Sequence, residues 1–308
     1  MRLSYPLDAA GAGAVPLFEP ATNTIAGVDA LIDALLNNGE YVYGKKFNAF
    51  SANEFADSTS DGRWESTFMF IGNPEGNDAV PNIPANCHRA SLGATPFSLP
   101  SGYRKKFLTA FQVLASGSGV TQSPNGMTAL LVDRLFQMGD FDGSVLTAET
   151  VSPAGHALSR YADGEGNRIY IEVRKDFSST AATIFVTYTN QDGTGSRVTE
   201  LRDFGINPYY KYIAGSVLEM PLQDGDSGVR SIQSVDVESS FGATARFNVL
   251  IGHPIAASEN VGKIGVAADK ALGMSIEEVD PDACLFFMSW DTQTDPMSWT
   301  YSIQFVEA

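Results

Sequence analysis

The chain has 308 residues, enough to bury one large core or two modest ones without disulfides or metals. Its 36 acidic residues outnumber its 20 basic residues, which gives a formal net charge of -16 at pH 7. Such a surface repels phosphate, so the charge argues against direct binding of DNA or RNA.

Residues 1–24 are predicted to form an N-terminal arm. Residues 9–14 read Ala-Ala-Gly-Ala-Gly-Ala, which carries too little apolar bulk for a core. The arm is either a loose terminus or a segment that orders against a neighbouring subunit. Pro6 and Asp8 interrupt the stretch that a secretory signal would need to be apolar, and no apolar run approaches the ~20 residues that cross a bilayer. We therefore expect synthesis in a cytoplasm and no membrane partner.

One short helix is predicted after the arm. Its apolar residues recur at three- and four-residue spacing and form one stripe, made of Ile25, Val28, Leu31, Ile32, Leu35 and Leu36. Thr24 can cap the start of this helix and Gly39 its end.

A loop-rich region follows the helix. Short strands are expected at 41–43 and 65–71, and residues 72–100 form a long connection dense in Asn, Gly, Pro and Ala. Loops of this length usually pack against another body or move. Residues 25–105 are therefore interpreted as a helix plus a loop-rich docking region, distinct from the domain that follows.

Residues 106–308 are predicted to form an antiparallel β-sandwich of jelly-roll-like type, so the fold class is mainly β. Runs of β-branched and aromatic residues alternate with turns, of which Asn190–Gly195 is the clearest. Ten strands, enough for two packed sheets, are expected at 107–115, 127–137, 168–175, 181–190, 195–202, 215–222, 229–239, 244–252, 284–290 and 298–306. The last strand alternates well, with Tyr301, Ile303 and Phe305 on one face, so we expect it to be embedded in a sheet.

The sequence carries no recognised catalytic or nucleotide-binding motif. It has no Gly-x-Ser-x-Gly elbow, no Gly-x-Gly-x-x-Gly loop and no Walker loop. His88, His156 and His253 lack the spacing of a triad or a metal site, and the Gly-Asp-Ser-Gly run at 225–228 has no supporting histidine context. We predict no catalytic residues, no cofactor and no enzyme activity. A glycoside hydrolase built on Glu165 and Asp224 is the weaker alternative.

Three acidic, glycine-containing turns, at 140–143, 163–167 and 224–228, superficially suggest cation sites. Calcium takes six to eight oxygen ligands, whereas each turn offers at most two carboxylates, and Asp and Gly are what tight turns require. We therefore predict no metal site. Asp224 and Asp226 would be the first candidates if a cation bound.

Two further features leave alternatives open. Cys87 and Cys284 are the only cysteines and show no metal-ligand spacing, so they are predicted to be reduced thiols, while the sequence leaves open whether they meet. Tyr209–Tyr212 reads Tyr-Tyr-Lys-Tyr, which is either an exposed contact loop for carbohydrate or protein, or a strand entry with alternating burial.

The turn-rich strand passages at 186–195 and 220–228, the Gly/Ala-rich arm and the long neutral loops resemble the structural proteins of tailed-bacteriophage virions. The resemblance implies a non-enzymatic virion component that decorates or stabilises the capsid surface after synthesis in the host cytoplasm. Its partners would be the major capsid protein and other virion proteins. We expect a homo-oligomer, with a trimer as the first expectation. The alternative is a tail, collar or fibre protein that binds a host-surface glycan through Tyr209–Tyr212.

Overall fold

The computed structural model describes residues 39–47, 63–68, 71–73, 83–102, 104–117, 127–151, 156–175, 177, 182–200, 202–204, 214–260, 277–291 and 297–307. Every regular secondary-structure element within these ranges is a β-strand. They are β1 (Gly39–Phe47), β2 (Arg63–Ser66), β3 (Ile71–Asn73), β4 (Ala85–Asn86), β5 (Lys106–Gly117), β6 (Met127–Asp142), β7 (Glu149–Thr150), β8 (Arg168–Lys175), β9 (Ala182–Asn190), β10 (Arg197–Val198), β11 (Arg202–Phe204), β12 (Ser216–Met220), β13 (Val229–Val237), β14 (Arg246–Asn260), β15 (Glu277–Val279), β16 (Leu285–Asp291) and β17 (Met297–Glu307).

The strands form three antiparallel sheets. The terminal sheet, which joins strands from the two ends of the described chain, has the order β15-β5-β17-β1-β3. The hairpin sheet has the order β10-β9-β13-β7, with β11 also paired to β9. In the third sheet β14, β8, β12, β2, β16 and β6 follow one another, and β6 pairs again with β14. This closed sheet therefore forms a ring of six strands.

The closed sheet lies between the other two and shares a core with each. One side of it packs against the terminal sheet through residues such as Leu131, Phe287 and Ile303. The other side packs against the hairpin sheet through residues such as Ile171, Val186 and Val249. A third cluster, which includes Val132, Leu250 and Phe286, fills the inside of the ring.

This arrangement explains why β8 is apolar on both faces. Ile169, Ile171 and Val173 face the hairpin sheet, whereas Tyr170 and Glu172 face the inside of the ring. A strand buried on both faces needs a nearly continuous apolar run rather than alternation. The sequence Ile-Tyr-Ile-Glu-Val meets this need with one charged residue.

The predicted fold class is confirmed, because the described chain is built of packed antiparallel sheets. The sheets number three rather than the expected two, since the closed sheet has a core on either side. β8 occupies the predicted 168–175, and β17 extends the predicted 298–306 by one residue at each end.

The predicted arm at 1–24 and the helix at 25–36 lie outside the described residues. The division near residue 105 stays a prediction as well. Two strands that precede it, β1 and β2, pair with later strands: β1 pairs with β17, and β2 pairs with β12 and β16.

Candidate interaction surfaces

Residues 83–102 form a mostly irregular segment, named the docking segment here, that several hydrogen bonds fasten to the closed sheet. The amide of Cys87 donates to the carbonyl of Leu135 at 3.0 Å, and the amide of Thr95 donates to the carbonyl of Leu285 at 2.6 Å. The side chain of Asn86 donates to the carbonyl of Ala157 at 3.1 Å. The segment is therefore held in place although it contains only the two-residue strand β4.

A buried lysine ties the docking segment to the terminal sheet. Lys106 is fully buried, and its ammonium donates to Glu40 of β1 and to the carbonyl of Ser98 at 2.7 Å. Glu307 of β17 lies 3.7 Å from the same ammonium and accepts from the Ser101 hydroxyl at 2.8 Å. Burial raises the pKa of Glu40, but Lys106 and Ser98 outweigh it and hold that pKa below its usual value.

The docking segment presents large apolar side chains to solvent. Ile83, Leu92 and Leu99 keep 64%, 55% and 52% of their surface exposed. The segment contains no Asp or Glu and one basic residue, Arg89, in a chain whose net charge is -16. Its own residues therefore form a partly apolar surface without carboxylates on an acidic protein.

A second exposed apolar feature lies on β1. Tyr41 and Tyr43 point away from the core, are 54% and 64% exposed, and stack with ring centroids 6.2 Å apart. Gln304 lies opposite Tyr41 in the register with β17, and its side-chain amide donates to the Tyr41 hydroxyl at 2.6 Å. The outer face of the terminal sheet thus combines two aromatic rings with a polar amide.

Asp226 is one of the two residues named above as first candidates if a cation bound, and its carboxylate is already bonded to donors of the protein. Its carboxylate accepts from the Tyr188 hydroxyl at 2.6 Å, the Asn190 amide at 2.7 Å and Nε of Arg197 at 2.8 Å. Burial raises the pKa of Asp226, but these donors outweigh it and lower that pKa. Burial and the bond to Asp226 raise the pKa of Tyr188 to about 12. Asp224 is exposed, and its carbonyl accepts from Arg197 at 3.2 Å.

The structure joins the acidic turns at 163–167 and 224–228 to each other. The Ser227 hydroxyl donates to Glu165 at 2.8 Å, and the amide of Gly166 donates to the carbonyl of Ser227 at 3.2 Å. A Cβ atom on Gly228 would lie 1.9 Å from the carbonyl oxygen of Gly164, so only glycine permits this approach. Gly164 itself has a φ of +81°, which also favours glycine. Gly164 and Gly228 are therefore explained by backbone conformation and close backbone packing.

The third acidic turn is also internally paired. Asp142 accepts from the amide and hydroxyl of Ser144 at 2.9 and 2.7 Å and lies 2.9 Å from Arg246. Asp140 pairs with Arg174 at 2.9 Å. Across the described ranges, no three His, Cys, Asp or Glu side chains are grouped as metal ligands.

The three histidines lie in different surroundings. The amide of exposed His88 donates to the Ser91 hydroxyl at 3.0 Å, and the ring of His156 lies 5.5 Å from that of Phe136. His253 stacks on Tyr161 at 3.8 Å, and its Nδ1 lies 3.0 Å from Oδ1 of Asn167. Because the Asn167 amide nitrogen already donates to two carbonyls, Oδ1 is the acceptor and Nδ1 carries the proton.

The two cysteines, whose meeting the sequence left open, are brought together. Both are buried free thiols in the cluster inside the closed sheet, and each thiol shifts the pKa of the other. Tyr209–Tyr212, the predicted contact loop, lies outside the described residues.

Sequence reasoning did not identify the exposed residues of the docking segment or the tyrosine pair on β1 as surface features. Leu92 and Leu99 lie among small residues and prolines without a strand or helix pattern, and this isolation could have predicted that their side chains are exposed. Tyr41 and Tyr43 alternate with Val42 on a strand, and nothing local shows which face of that strand is buried.

Across the part of the chain that the structure describes, no helix is long and apolar enough to span a bilayer.

No protein-family model matches the sequence, and no curated protein matches it. Three similar solved structures come from infectious bursal disease virus. The VP2 subviral particle is 8% identical over 88% of this chain and 80% of that one, with a TM-score of 0.19. The Gx strain structure is 11% identical over 87% and 79% of the two chains, with a TM-score of 0.21. The virus-derived T=1 particle is 9% identical over 87% and 77%, with a TM-score of 0.20. At such TM-scores the likeness identifies neither a family nor a function for this chain.

Proposed function

We propose that the chain is a non-enzymatic structural protein of a virus particle, which docks on the major capsid lattice through its N-terminal region and self-associates there. The observation that carries the self-association is the docking segment, whose exposed Ile83, Leu92 and Leu99 stand on a fixed backbone. The resemblance to tailed-phage structural proteins supports the finer proposal of a capsid decoration or minor capsid protein at the virion surface.

The fixed backbone matters for affinity. Burial of exposed aliphatic side chains is the main favourable term in protein association. Association also costs entropy when a loop must order at the interface. The buried Lys106 and its partners Glu40 and Ser98 hold one end of the segment before any partner arrives. A pre-ordered apolar surface therefore keeps more of the free energy of burial.

The charge distribution supports self-association through the same segment. Two chains of net charge -16 repel each other at long range. The contact that repels least is one whose residues carry no carboxylate, and residues 83–102 of the docking segment carry none. Added salt screens the remaining repulsion, so association should strengthen as salt rises.

Sedimentation velocity of the full chain tests this proposal. We expect an oligomer, with a trimer as the first expectation, and a monomer for the triple variant Ile83→Ser, Leu92→Ser and Leu99→Ser. Val145→Ser with Leu146→Ser is the matched control, because these aliphatic residues are exposed outside the docking segment. An oligomeric triple variant, or a wild-type monomer at every concentration, would contradict self-association through this surface.

Docking on the particle needs a separate experiment. Residues 1–38 should be removed and Glu40 kept, because Glu40 pairs with the buried Lys106. The truncated chain should fold and fail to join particles, whereas the full chain should give capsid-surface density in a cryo-EM map. Association of the truncated chain, or the absence of that density, would contradict docking through the N-terminal region.

The alternative is a tail, collar or fibre protein that binds a host-surface glycan, and the stacked Tyr41 and Tyr43 favour it. Flat aromatic faces beside a polar amide suit a ligand that combines apolar C–H faces with hydroxyl groups. Glycan-array binding that is lost in the variant Tyr41→Ala with Tyr43→Ala would support this role. Capsid-surface density would dismiss it.

A further inference from the structure

Cys87 and Cys284 meet because β4 and β16 lie end to end along the same edge of β6. β4 pairs with Gln137 and Phe136, and β16 begins its pairing at Asp133. The next bonds in line run from the amide of Cys87 to the carbonyl of Leu135 and from the amide of Arg134 to the carbonyl of Cys284. The two cysteines therefore face neighbouring residues of one strand.

This register brings the two cysteines to neighbouring positions, as a disulfide requires. One residue step along a strand is about 3.3 Å, whereas cysteines whose Cα atoms are more than about 7 Å apart cannot be bridged. Both cysteines are buried, and their side chains lie in the same cluster inside the closed sheet. We propose that Cys87 and Cys284 form an intramolecular disulfide when the protein meets a hydroperoxide, and that this bond fastens the docking segment to the closed sheet.

The charges around the pair suit this reaction. Arg160 donates to the carbonyl of Cys87 at 2.8 Å and forms a two-point ion pair with Asp133, whose carboxylate also accepts from the amide of Cys284. Burial raises the pKa of the Cys87 thiol, but the hydrogen bond from Cys284 and the charges of Arg134 and Arg160 outweigh it and lower that pKa. Burial and the bond to Cys87 raise the pKa of Cys284. We assign the attack on the peroxide to Cys87, whose carbonyl is bound by Arg160, and the resolving step to Cys284.

The reaction balances in two steps. The Cys87 thiolate attacks one oxygen of hydrogen peroxide, the O–O bond breaks, and hydroxide leaves while Cys87 becomes a sulfenic acid. The sulfur of Cys284 then attacks the sulfur of Cys87, which expels the sulfenic oxygen as water and forms the S–S bond. The two thiols together lose two electrons, and one peroxide becomes two waters.

The bond would have a mechanical consequence for the docking segment. Cys87 directly follows β4, so a covalent link to Cys284 would anchor the segment next to the start of β16. The link closes most of the chain into one loop, and a disulfide that closes a long loop restricts the unfolded chain strongly. We expect the Tm of the oxidised protein to exceed that of the reduced protein by about 5 °C or more.

The experiment treats the reduced full chain with a small excess of hydrogen peroxide, denatures it, alkylates the remaining thiols and measures intact mass and peptide maps. We expect both thiols to disappear together, a linked Cys87–Cys284 peptide, a monomer on non-reducing gels and a raised Tm that dithiothreitol reverses. In Cys284→Ala, dimedone should label Cys87 as a sulfenic acid. Thiols that stay alkylatable, cysteines oxidised without a linked peptide, links only between chains, or an unchanged Tm would overturn the proposal. The peroxide assay on the wild-type chain decides the outcome even if the variant fails to fold.

Discussion

Arg134 shows how the closed sheet holds a charge in its interior. Its guanidinium makes two bonds of 3.1 Å to Glu172 and donates to Gln137 at 2.9 Å. It also lies 4.0 Å from the centre of the Phe68 ring. Burial raises the pKa of Glu172, but Arg134, Ser66 and Asn248 outweigh it and keep that pKa below its usual value. Each of these two buried charges is therefore compensated by the other, and neither would be compensated if its partner were removed.

Removing one partner of this pair should cost far more than removing both. Arg134→Met leaves a buried carboxylate without its cation, and we expect a loss of about 3–5 kcal/mol in the free energy of unfolding. Arg134→Met combined with Glu172→Leu should recover most of that loss, within about 2 kcal/mol of wild type. Urea unfolding measures both variants.

A partly exposed ion pair supplies the control. Arg174 and Asp140 lie 2.9 Å apart with both side chains partly in solvent, so Arg174→Met should cost less than about 1 kcal/mol. A double variant less stable than Arg134→Met would show that the pair contributes through something other than mutual compensation of charge.

At the scale of the element, Asp226 joins three parts of the hairpin sheet. Tyr188 and Asn190 belong to β9, Arg197 belongs to β10, and Asp226 precedes β13. The β9–β10 turn adds its own bonds, because the Asn190 side chain accepts from the amides of Asp192 and Thr194 at 3.1 and 2.9 Å. One carboxylate therefore fixes the relative positions of these strand ends.

This arrangement predicts a pH dependence. The pKa of Asp226 is lower in the folded chain than its ordinary value of about 3.9, so the folded state favours the ionised form. Its contribution to stability is full above that ordinary value and is lost as the pH falls through the lowered folded value. Asp226→Asn should therefore lower the urea midpoint at pH 7 and differ little from wild type near pH 2.

The neighbouring turn offers a matched control for the pH series. Asp192 is exposed, and its carboxylate accepts from the side-chain amide of Gln191 at 3.1 Å. Asp192→Asn should leave the urea midpoint unchanged at both pH values. If Asp226→Asn lowers the urea midpoint below that of wild type by the same amount at both pH values, the effect is not electrostatic.

The strands could be predicted from sequence because their signals are local. β8 and β17 have clear boundaries in apolar pattern and turn residues, and the structure places them within one residue of prediction. β14 was expected to end at residue 252, before Pro254, but it continues to Asn260. A register shift between Pro254 and Ala256 accommodates the proline, which has no N–H to give.

Pairing and burial could not be predicted in the same way. Nothing in the local sequence around Glu172 indicates that this carboxylate is buried, yet it lies inside the ring because β6 and β14 close the sheet. Residues 72–100 are predicted as a long connection in a loop-rich docking region, but no local pattern shows that the docking segment is fixed, since its position depends on Lys106 and on strands far along the chain. These properties arise from contacts between distant residues.

At the scale of the whole molecule, the last strand couples the chain ends. β17 lies between β5 and β1, and its Tyr301, Ile303 and Phe305 belong to the core shared with the closed sheet. Its Glu307 also binds Ser101 in the docking segment. β17 therefore supports a sheet, a core and the proposed interaction surface at once.

Deletion of residues 298–308 should abolish the cooperative thermal transition. The loss would expose one edge each of β1 and β5 and open the shared core, a cost beyond the ~5–15 kcal/mol that stabilises typical domains. Differential scanning calorimetry measures the transition, with Thr300→Ala on the exposed face as the control. A cooperative transition in the truncated chain would show that the rest of the molecule folds without this strand.

Among the described strands, the perimeter of the terminal and hairpin sheets consists of very short pieces. β3, β11 and β15 have three residues each, and β7 and β10 have two. Each of them covers only two or three residues of its longer neighbour, as β15 does on β5, β3 on β1 and β7 on β13. Edge strands this short offer few backbone groups to a foreign strand, which is one way in which sheet proteins limit edge-to-edge pairing between crowded copies.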